Sequence, residues 1–396
     1  MSIQKTKGFN LSLIRGPFQN NGATPWYCEL GLGTPSQKLK FCFDTGSNFN
    51  WVTSSLCAED GCHHHGGGRF IIPASSSFIM TNPHEQPVSF GPWGTMQVKT
   101  GEDDLLLPMQ LKPNQIRTDL FVASEYTGSQ FEELNWDGGI GIPSSQTVLP
   151  MPMSTPSPFR AHYLANDEYS QFHFFLQLIE KQLICRNAPY VSFLTESTTK
   201  YGEGGTVGFG VLDDAYAASL EYIFMPWSLY QESASYLWST AGAAVKVDGM
   251  DVGEDMFFTL DSGSSQFKGD NIVLTNLYNL TMDNDPVVAI SLRSPTGEEY
   301  GLIEVTSDIY RCKIEAGKKE GQVLSQFQGL EGADKMLLVG SVIMDHLYTV
   351  YEYEVLSGTN ISPKGVWIFN KLDGPKIIKT IQNEPATLFT NPAKGK

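Results

Sequence analysis

Two short segments of the sequence place an aspartate in the same setting. Asp44 follows the apolar run FCF and opens the tetrapeptide DTGS, and Asp261 follows FFTL and opens DSGS. One such tetrapeptide is an ordinary turn, but two copies at domain-scale spacing indicate a duplicated site. If the turns face each other, the carboxylates share one proton, because like charges in contact cannot both ionise. The pair then holds an acid and a base, which together can activate water for hydrolysis.

The residues after each aspartate suit this chemistry. A glycine lets the backbone approach closely and offers its N–H to a carboxylate oxygen. A serine three positions after the aspartate is placed to orient the carboxylate, and a hydroxyl directly after it can tie one turn to the other. The alternative is two unrelated Asx turns, which the repeat disfavours. These residues are Gly46 and Gly263, Ser47 and Ser264, and Thr45 and Ser262.

Strands are the elements that must position these turns. Runs of β-branched and aromatic residues broken by Gly, Pro, Asn and Asp predict a mostly β chain. Residues 27–43 are typical of a hairpin that turns at GTPSQ, and 172–184 is the clearest helical pattern. Each aspartate is followed by an apolar-Gly-apolar element, at 137–143 and at 336–344. This repeated order predicts two lobes related by an approximate two-fold axis.

In this order the motifs resemble those of the pepsin-like aspartic proteases, from about Trp26 to Phe369. The resemblance implies an all-β bilobal fold with pseudo-two-fold symmetry, a few short helices and a cleft between the lobes. It also implies a monomeric endopeptidase that needs no cofactor or metal. Its substrates would be extended polypeptides cut at acid pH near apolar residues, and pepstatin-type compounds would inhibit it. The matching motifs are YCELGLGTPSQKLKFCFDTGSNFNWV, NQI with WDGGIGI, TVGFGVLD, LDSGSSQFKG and LVGSVIMDHLYTVYEYE.

The resemblance also assigns roles to individual residues of this sequence. Asp44 and Asp261 match the catalytic dyad, with Asp261 the ionised member and Asp44 the protonated one in the family's usual assignment. The glycines of the loops that support the aspartates are matched by Gly141 and Gly340. We expect an N-terminal lobe over 1–197, with the first aspartate and a flap, and a C-terminal lobe over 198–396. The Pro- and Ser-rich stretch 143–171 predicts a long surface loop, and 195–205 is expected to join the lobes.

The flap departs from the family pattern. In the family a hairpin over the substrate carries a tyrosine followed by glycine, but residues 88–104 contain no tyrosine. We expect Trp93 to take its place, because an indole N–H can donate a hydrogen bond; Phe90, which can only pack, is the alternative. Trp51 matches a tryptophan that supports the flap residue. Tyr236 lies where the family often has a substrate-contacting tyrosine, with core packing as the alternative.

The cysteines and histidines predict no metal site. Cys57 and Cys62 close a short loop and are the best disulfide candidates in an oxidising compartment; the family's first short disulfide has the same spacing. Cys28 and Cys42 fall on the two arms of the hairpin, and we expect reduced packing thiols there rather than a cross-strand pair. The run HHHGGG after Cys62 is expected to be a solvated loop, because adjacent histidines on extended chain point in alternate directions.

Composition and charge limit the classes of partner and the cellular locations that the sequence allows. With 43 acidic and 27 basic residues the formal net charge is −16, which argues against nucleic acid. No apolar run approaches the ~20 residues of a membrane helix. The N-terminus has no signal-like apolar block, so we expect a cytoplasmic enzyme that needs no zymogen cleavage, similar to prosegment-less bacterial pepsin homologues of the shewasin type. Secretion or a periplasmic location is expected instead if the sequence is a processed form.

A second functional class stays open. A pepsin-fold protein can be catalytically silent and act as a binding or inhibitory module, but such proteins typically lose one aspartate or distort one loop. Both aspartates are present here, so the sequence favours an enzyme. Asp137 and Asp345 stand beside the supporting glycines, and we expect them to be loop or surface acids rather than catalysts.

Overall fold

The computed structural model describes residues 8–90, 94–109, 114–126, 128–145, 172–196, 203–294, 296–357 and 360–390. Strands dominate this part of the chain, as the sequence predicts. They are β1 Phe9–Arg15, β2 Trp26–Leu32, β3 Gln37–Asp44, β4 Asn50–Thr53, β5 Ile79–Ser89, β6 Thr95–Leu107, β7 Asn114–Tyr126, β8 Gly138–Gly141, β9 Tyr190–Thr195, β10 Gly205–Phe209, β11 Tyr222–Pro226, β12 Ser239–Val247, β13 Met250–Leu260, β14 Phe267–Asp270, β15 Val288–Arg293, β16 Glu299–Val305, β17 Arg311–Lys313, β18 Val323–Ser325, β19 Phe327–Leu330, β20 Met336–Val339, β21 Leu347–Ser357 and β22 Asn360–Asn370.

The helices of the described residues are short. They are α1 Ser129–Glu132, α2 Phe174–Glu180, α3 Asn271–Met282, α4 Ser307–Tyr310, α5 Ser341–Met344 and α6 Thr387–Thr390, with single 3₁₀ turns at Ile72–Ala74, Asp214–Tyr216 and Glu232–Ala234. Within the described ranges, no helix combines the length and the apolar character that a membrane crossing requires.

Two sheets repeat one pairing pattern around the two aspartates. In the first sheet β3 pairs in parallel with β8, while β4 pairs antiparallel with β8 and parallel with β7. In the second sheet β13 pairs in parallel with β20, while β14 pairs antiparallel with β20 and parallel with β19. The predicted internal repeat is therefore present as a repeated strand topology.

Strands from distant parts of the chain join the two halves. The order β11-β22-β21-β9-β10-β1 continues through β2 into the first sheet. The first strand pairs with β10, with Phe9 opposite Phe209. Behind Asp44, the Phe43 ring contacts Phe209 at 5.2 Å and Phe174 at 5.7 Å between ring centroids. The strand that carries the first aspartate is thus anchored in an aromatic core.

The predicted hairpin over residues 27–43 corresponds to strands β2 and β3. The hairpin of β2 and β3 is present, with Leu32 opposite Gln37. Cys28 lies opposite Phe41 rather than Cys42, and both thiols are free and buried, as expected. Alternate strand residues point to opposite faces, which separates the two sulfurs.

The helix predicted over 172–184 is present but shorter. It spans Phe174–Glu180 and ends just before Gln182, whose φ of 55° lies in the left-handed region and cannot continue a right-handed helix. Residues 146–171 and 197–202 lie outside the described part of the chain, so the surface loop and the lobe boundary after residue 197 stay predictions.

Candidate active site

Asp44 is the last residue of β3. The parallel pairing with β8 aligns it with Gly141. The Gly46 N–H donates to Asp44 Oδ1 at 2.8 Å, and the Ser47 hydroxyl donates to Asp44 Oδ2. Each carboxylate oxygen therefore has a donor from the tetrapeptide DTGS itself.

Asp261 has the same surroundings one residue beyond β13. Its N–H donates to the Val339 carbonyl at 2.9 Å. The Gly263 N–H donates to Asp261 Oδ1 at 2.9 Å, and the Ser264 hydroxyl donates to Asp261 Oδ2 at 2.6 Å. The glycine and serine contacts expected from the sequence are thus made in both turns.

The two carboxyl groups lie close together, each against the glycine of the opposite turn. A methyl group at Gly46 would lie 2.6 Å from Asp261 Oδ1, and one at Gly263 would lie 2.3 Å from Asp44 Oδ1. Glycine at both positions therefore leaves room for the opposite carboxyl group. Burial, and then the negative charge of Asp261, raise the pKa of Asp44 well above its ordinary value, although hydrogen bonds from Ser47 and Gly46 oppose the shift.

Hydroxyls directly after the aspartates tie the two turns together. The Thr45 N–H donates to Ser262 Oγ at 3.0 Å, and the Ser262 N–H donates to Thr45 Oγ1 at 2.9 Å. Both side chains are buried. This reciprocal pair fixes the separation of the two aspartates.

The supporting glycines lie directly behind the turns. Gly141 packs against Phe49, where an added Cβ would come within 2.8 Å of the backbone nitrogen and oxygen. Gly340 packs in the same way against Ser264, where a Cβ would come within 2.2 Å of the carbonyl oxygen. The positions that the family resemblance assigned to loop support are thus sites of close backbone approach.

A cavity of about 260 Å³ lies in front of the aspartates. The predicted substrate-side residues Trp51, Phe90 and Tyr236 all line it, together with both aspartates. Burial, with smaller contributions from the charges of Asp44 and Asp261, raises the pKa of Tyr236 to about 12, so its hydroxyl stays neutral. The cavity is therefore aromatic on its walls and acidic at its floor.

The residues expected to form the flap lie in the hairpin of β5 and β6. At the end of the described part of this hairpin, the Phe90 N–H donates to the Gly94 carbonyl at 3.0 Å. The Phe90 ring contacts Trp51 edge-on, with 5.6 Å between ring centroids, and meets Phe49 at 5.5 Å. Phe90, the alternative in the sequence analysis, thus contacts the expected supporting tryptophan, whereas Trp93 lies outside the described residues.

The loop of the short cysteine pair differs from the expectation. Cys57 and Cys62 form a disulfide, but His64 is buried rather than solvated. His64 Nε2 lies 2.8 Å from Asp137 Oδ1, and both side chains are at most 3% exposed. His63 and His65 are exposed, as expected for a solvated loop, and Asp137 lies in a loop as expected. The expectation was wrong for His64 and for a surface position of Asp137, because the fold pairs these two side chains in the interior.

Asp345 was also expected to be a loop or surface acid. The Thr195 hydroxyl donates to its Oδ1 at 3.1 Å, and burial raises its pKa to about 6 against the lowering effect of Lys371 and Arg15. Asp345 does not line the cleft cavity. Among the residues that the structure describes, no cluster of three or more His, Cys, Asp or Glu is arranged to hold a metal ion.

Two polar residues of the site were missed by sequence reasoning. Asn50 accepts the Gly141 N–H at 3.1 Å through Oδ1 and donates to the Asp119 carbonyl at 3.2 Å, which braces the supporting loop. Lys268 is buried beside Ser264 and lines the cavity. Its position, seven residues after Asp261 as Trp51 is seven after Asp44, was the available signal.

Comparison with known proteins agrees with this geometry. A family model described as eukaryotic aspartyl protease matches residues 25–357. Sheep (Ovis aries) chymosin is 24% identical over 342 residues, which cover 85% of this chain and 80% of that protein. Chicken (Gallus gallus) pepsin A is 31% identical over 159 residues, which cover 39% of this chain and 41% of that protein. The chain, an aspartic endopeptidase, therefore belongs to the eukaryotic aspartyl protease family.

Proposed function

We propose that Asp44 and Asp261 hydrolyse peptide bonds as one acid–base pair that shares a proton. The observation that carries this proposal is their contact across the two turns, together with the raised pKa of Asp44. A group with a raised pKa retains its proton, so Asp44 is the acid and Asp261 the base at the start of the reaction.

The chemistry follows from this assignment. Ionised Asp261 removes a proton from a bound water, and the water oxygen attacks the scissile carbonyl carbon. Asp44 donates its proton to the carbonyl oxygen, which gives a neutral tetrahedral gem-diol. Asp44 then accepts a proton from one hydroxyl while the leaving nitrogen takes one from Asp261, and the C–N bond breaks. No bond forms between the enzyme and the substrate.

Substrate preference is proposed from the cavity walls. Trp51, Phe90 and Tyr236 offer aromatic surface on the approach to the aspartates, which favours apolar side chains around the cleaved bond. The shared proton favours acid pH, because loss of the second proton leaves no acid for the carbonyl oxygen. We further propose inhibition by pepstatin-type peptides, in which a hydroxyl takes the place of the attacking water.

The test is cleavage of internally quenched peptides at about pH 3 to 6, with and without pepstatin. We expect cleavage that pepstatin abolishes. The D44N and D261N variants should each lose at least about a thousandfold in kcat. Cleavage that survives in folded D44N would overturn the dyad, and a folded wild-type protein that cleaves nothing would favour a silent binding module.

Asp345 offers a matched control for these two substitutions. It is a half-buried aspartate outside the cleft, and with a pKa of about 6 it is largely protonated in the acid range of the assay. D345N imitates that protonated form, so we expect its kcat to remain within about twofold of wild type.

A further inference from the structure

A buried lysine stands beside one aspartate of the site and not beside the other. Lys268 Nζ donates to the Ser264 hydroxyl at 3.4 Å, and that hydroxyl donates to Asp261 Oδ2 at 2.6 Å. Nζ also donates to the Gly22 carbonyl at 2.7 Å, which holds the side chain in place. Lys268 is 5% exposed, and a lysine so enclosed needs a compensating negative charge.

The repeated topology makes this placement asymmetric. Lys268 lies on β14, the counterpart of β4, where Trp51 occupies the same position relative to its aspartate. The indole of Trp51 packs against Phe90 on the flap and carries no charge. The two turns are otherwise alike in their glycine and serine contacts. Among the described residues, Lys268 is therefore a charge that stands beside the Asp261 turn and has no counterpart at the matching position beside Asp44.

We propose that Lys268 is a positioning residue for the dyad, whose ammonium group keeps Asp261 ionised through Ser264, leaves the shared proton on Asp44 and moves the active pH range toward acid. This inference rests on the acid–base pair proposed above. A positive charge about 6 Å from a carboxylate lowers the carboxylate pKa by about one unit or more. The same charge lowers both ionisations of a coupled pair, so both limbs of the pH profile move together.

Within the described part of the chain, the strands on either side of Lys268 place no charged residue opposite it. On the neighbouring strands it lies opposite Gln328 and Leu338, which are uncharged. The carboxylates that act on it are Asp261 and, more weakly, Asp44. Burial lowers the pKa of Lys268 to about 8 although both aspartates oppose this shift, so the ammonium group is charged throughout the acid range.

The decisive measurement is the pH profile of kcat/KM for wild type, K268M and K268R. In K268M both limbs should move to higher pH by about one unit or more, with about a tenfold loss on the acid limb. K268R retains the charge and should keep both limbs near those of wild type. The Gly22 carbonyl still accepts the Ser265 N–H at 3.0 Å in either variant, so it is not left without a donor.

Lys371 provides a matched control. It is also a buried lysine, but its charge partners are Asp345 and Glu196 rather than the dyad. K371M is expected to lower the melting temperature and leave the pH limbs unmoved. If K268M does not fold, K268Q serves as the second uncharged variant.

The possible outcomes distinguish the proposed role of Lys268 from the proposed acid–base pair of Asp44 and Asp261. A folded K268M or K268Q with unmoved limbs overturns the role of Lys268, even if its kcat falls, because a purely structural residue changes the rate without moving the pH dependence. Activity that survives in D44N instead overturns the acid–base pair itself. An upward shift in K268M, with D44N inactive, supports both.

Discussion

Thr45 and Ser262 exchange hydrogen bonds across the two halves of the chain, the N–H of each donating to the hydroxyl of the other at 3.0 and 2.9 Å. The Ser262 hydroxyl also donates to the Phe43 carbonyl at 2.7 Å, and the Thr45 hydroxyl donates to the Leu260 carbonyl at 3.2 Å. Each half therefore supplies acceptors and donors that the other half needs. The separation of the aspartates depends on this exchange rather than on either turn alone.

Removal of either hydroxyl should destabilise the protein. S262A leaves the buried Thr45 N–H without its acceptor, and T45V does the same to the Ser262 N–H. We expect each to lower the free energy of unfolding by about 1–3 kcal/mol, with non-additive losses in the double variant because the residues are in contact. Urea denaturation measures these values, and kcat should fall in parallel.

Ser265 is the control for this prediction. It lies in the same loop and is fully buried, but its hydroxyl has no hydrogen-bond partner within the described ranges. S265A should therefore leave the free energy of unfolding nearly unchanged. A loss in S265A as large as that in S262A would mean that packing, not the reciprocal hydrogen bonds, holds the turns together.

Gly263 should tolerate no side chain. A Cβ there would lie 2.3 Å from Asp44 Oδ1, so G263A must displace the carboxyl group that donates the proton. Because misplacement by about 1 Å costs about a hundredfold in rate, we expect at least that loss in kcat, measured on a quenched peptide. G374A is the matched control, since its nearest neighbour would be 3.8 Å away. Equal activity of G263A and wild type would contradict the close approach.

The sequence predicts the duplicated part of the site well and the unduplicated part poorly. The two aspartates and the hydroxyl and glycine residues after them could be predicted because the same motif occurs twice. Each copy of the motif strengthens the functional interpretation of the other. His64 and Asp137 meet because the residues just before β8 lie against the loop after the disulfide, where the Gly66 N–H donates to the Leu134 carbonyl at 2.7 Å. Nothing in their local sequence indicates that contact. Lys268 breaks the repeat, so a search for matching residues passes over it.

Phe90 should be the flap residue on which catalysis depends. Its ring lines the cavity and packs on Trp51 and Phe49, so F90A opens the site to water and removes a wall of the substrate site. We expect kcat/KM to fall by about tenfold or more, while F90Y, which keeps the ring, retains most activity. The same assay on W93A tests the residue favoured by the sequence, and a larger loss in W93A would contradict the assignment.

The buried pair of His64 and Asp137 predicts a defined pH dependence of stability. Burial raises the pKa of Asp137, but hydrogen bonds from His64 and from the Lys40 and Gly68 N–H groups outweigh it, so the pKa is lowered overall. A carboxylate with a lowered folded-state pKa stabilises the protein above its unfolded value of about 4, and this stabilisation is lost as the pH falls through the folded value.

D137N removes the charge and one acceptor of this network, so we expect it to lower the free energy of unfolding by about 1–3 kcal/mol at neutral pH. The deficit relative to wild type should stay constant down to about pH 4 and shrink below it, because wild type then becomes protonated at Asp137 as well. Urea denaturation at a series of pH values measures the difference. If the deficit does not change between neutral pH and about pH 2, Asp137 stabilises the loop through packing and not through its negative charge.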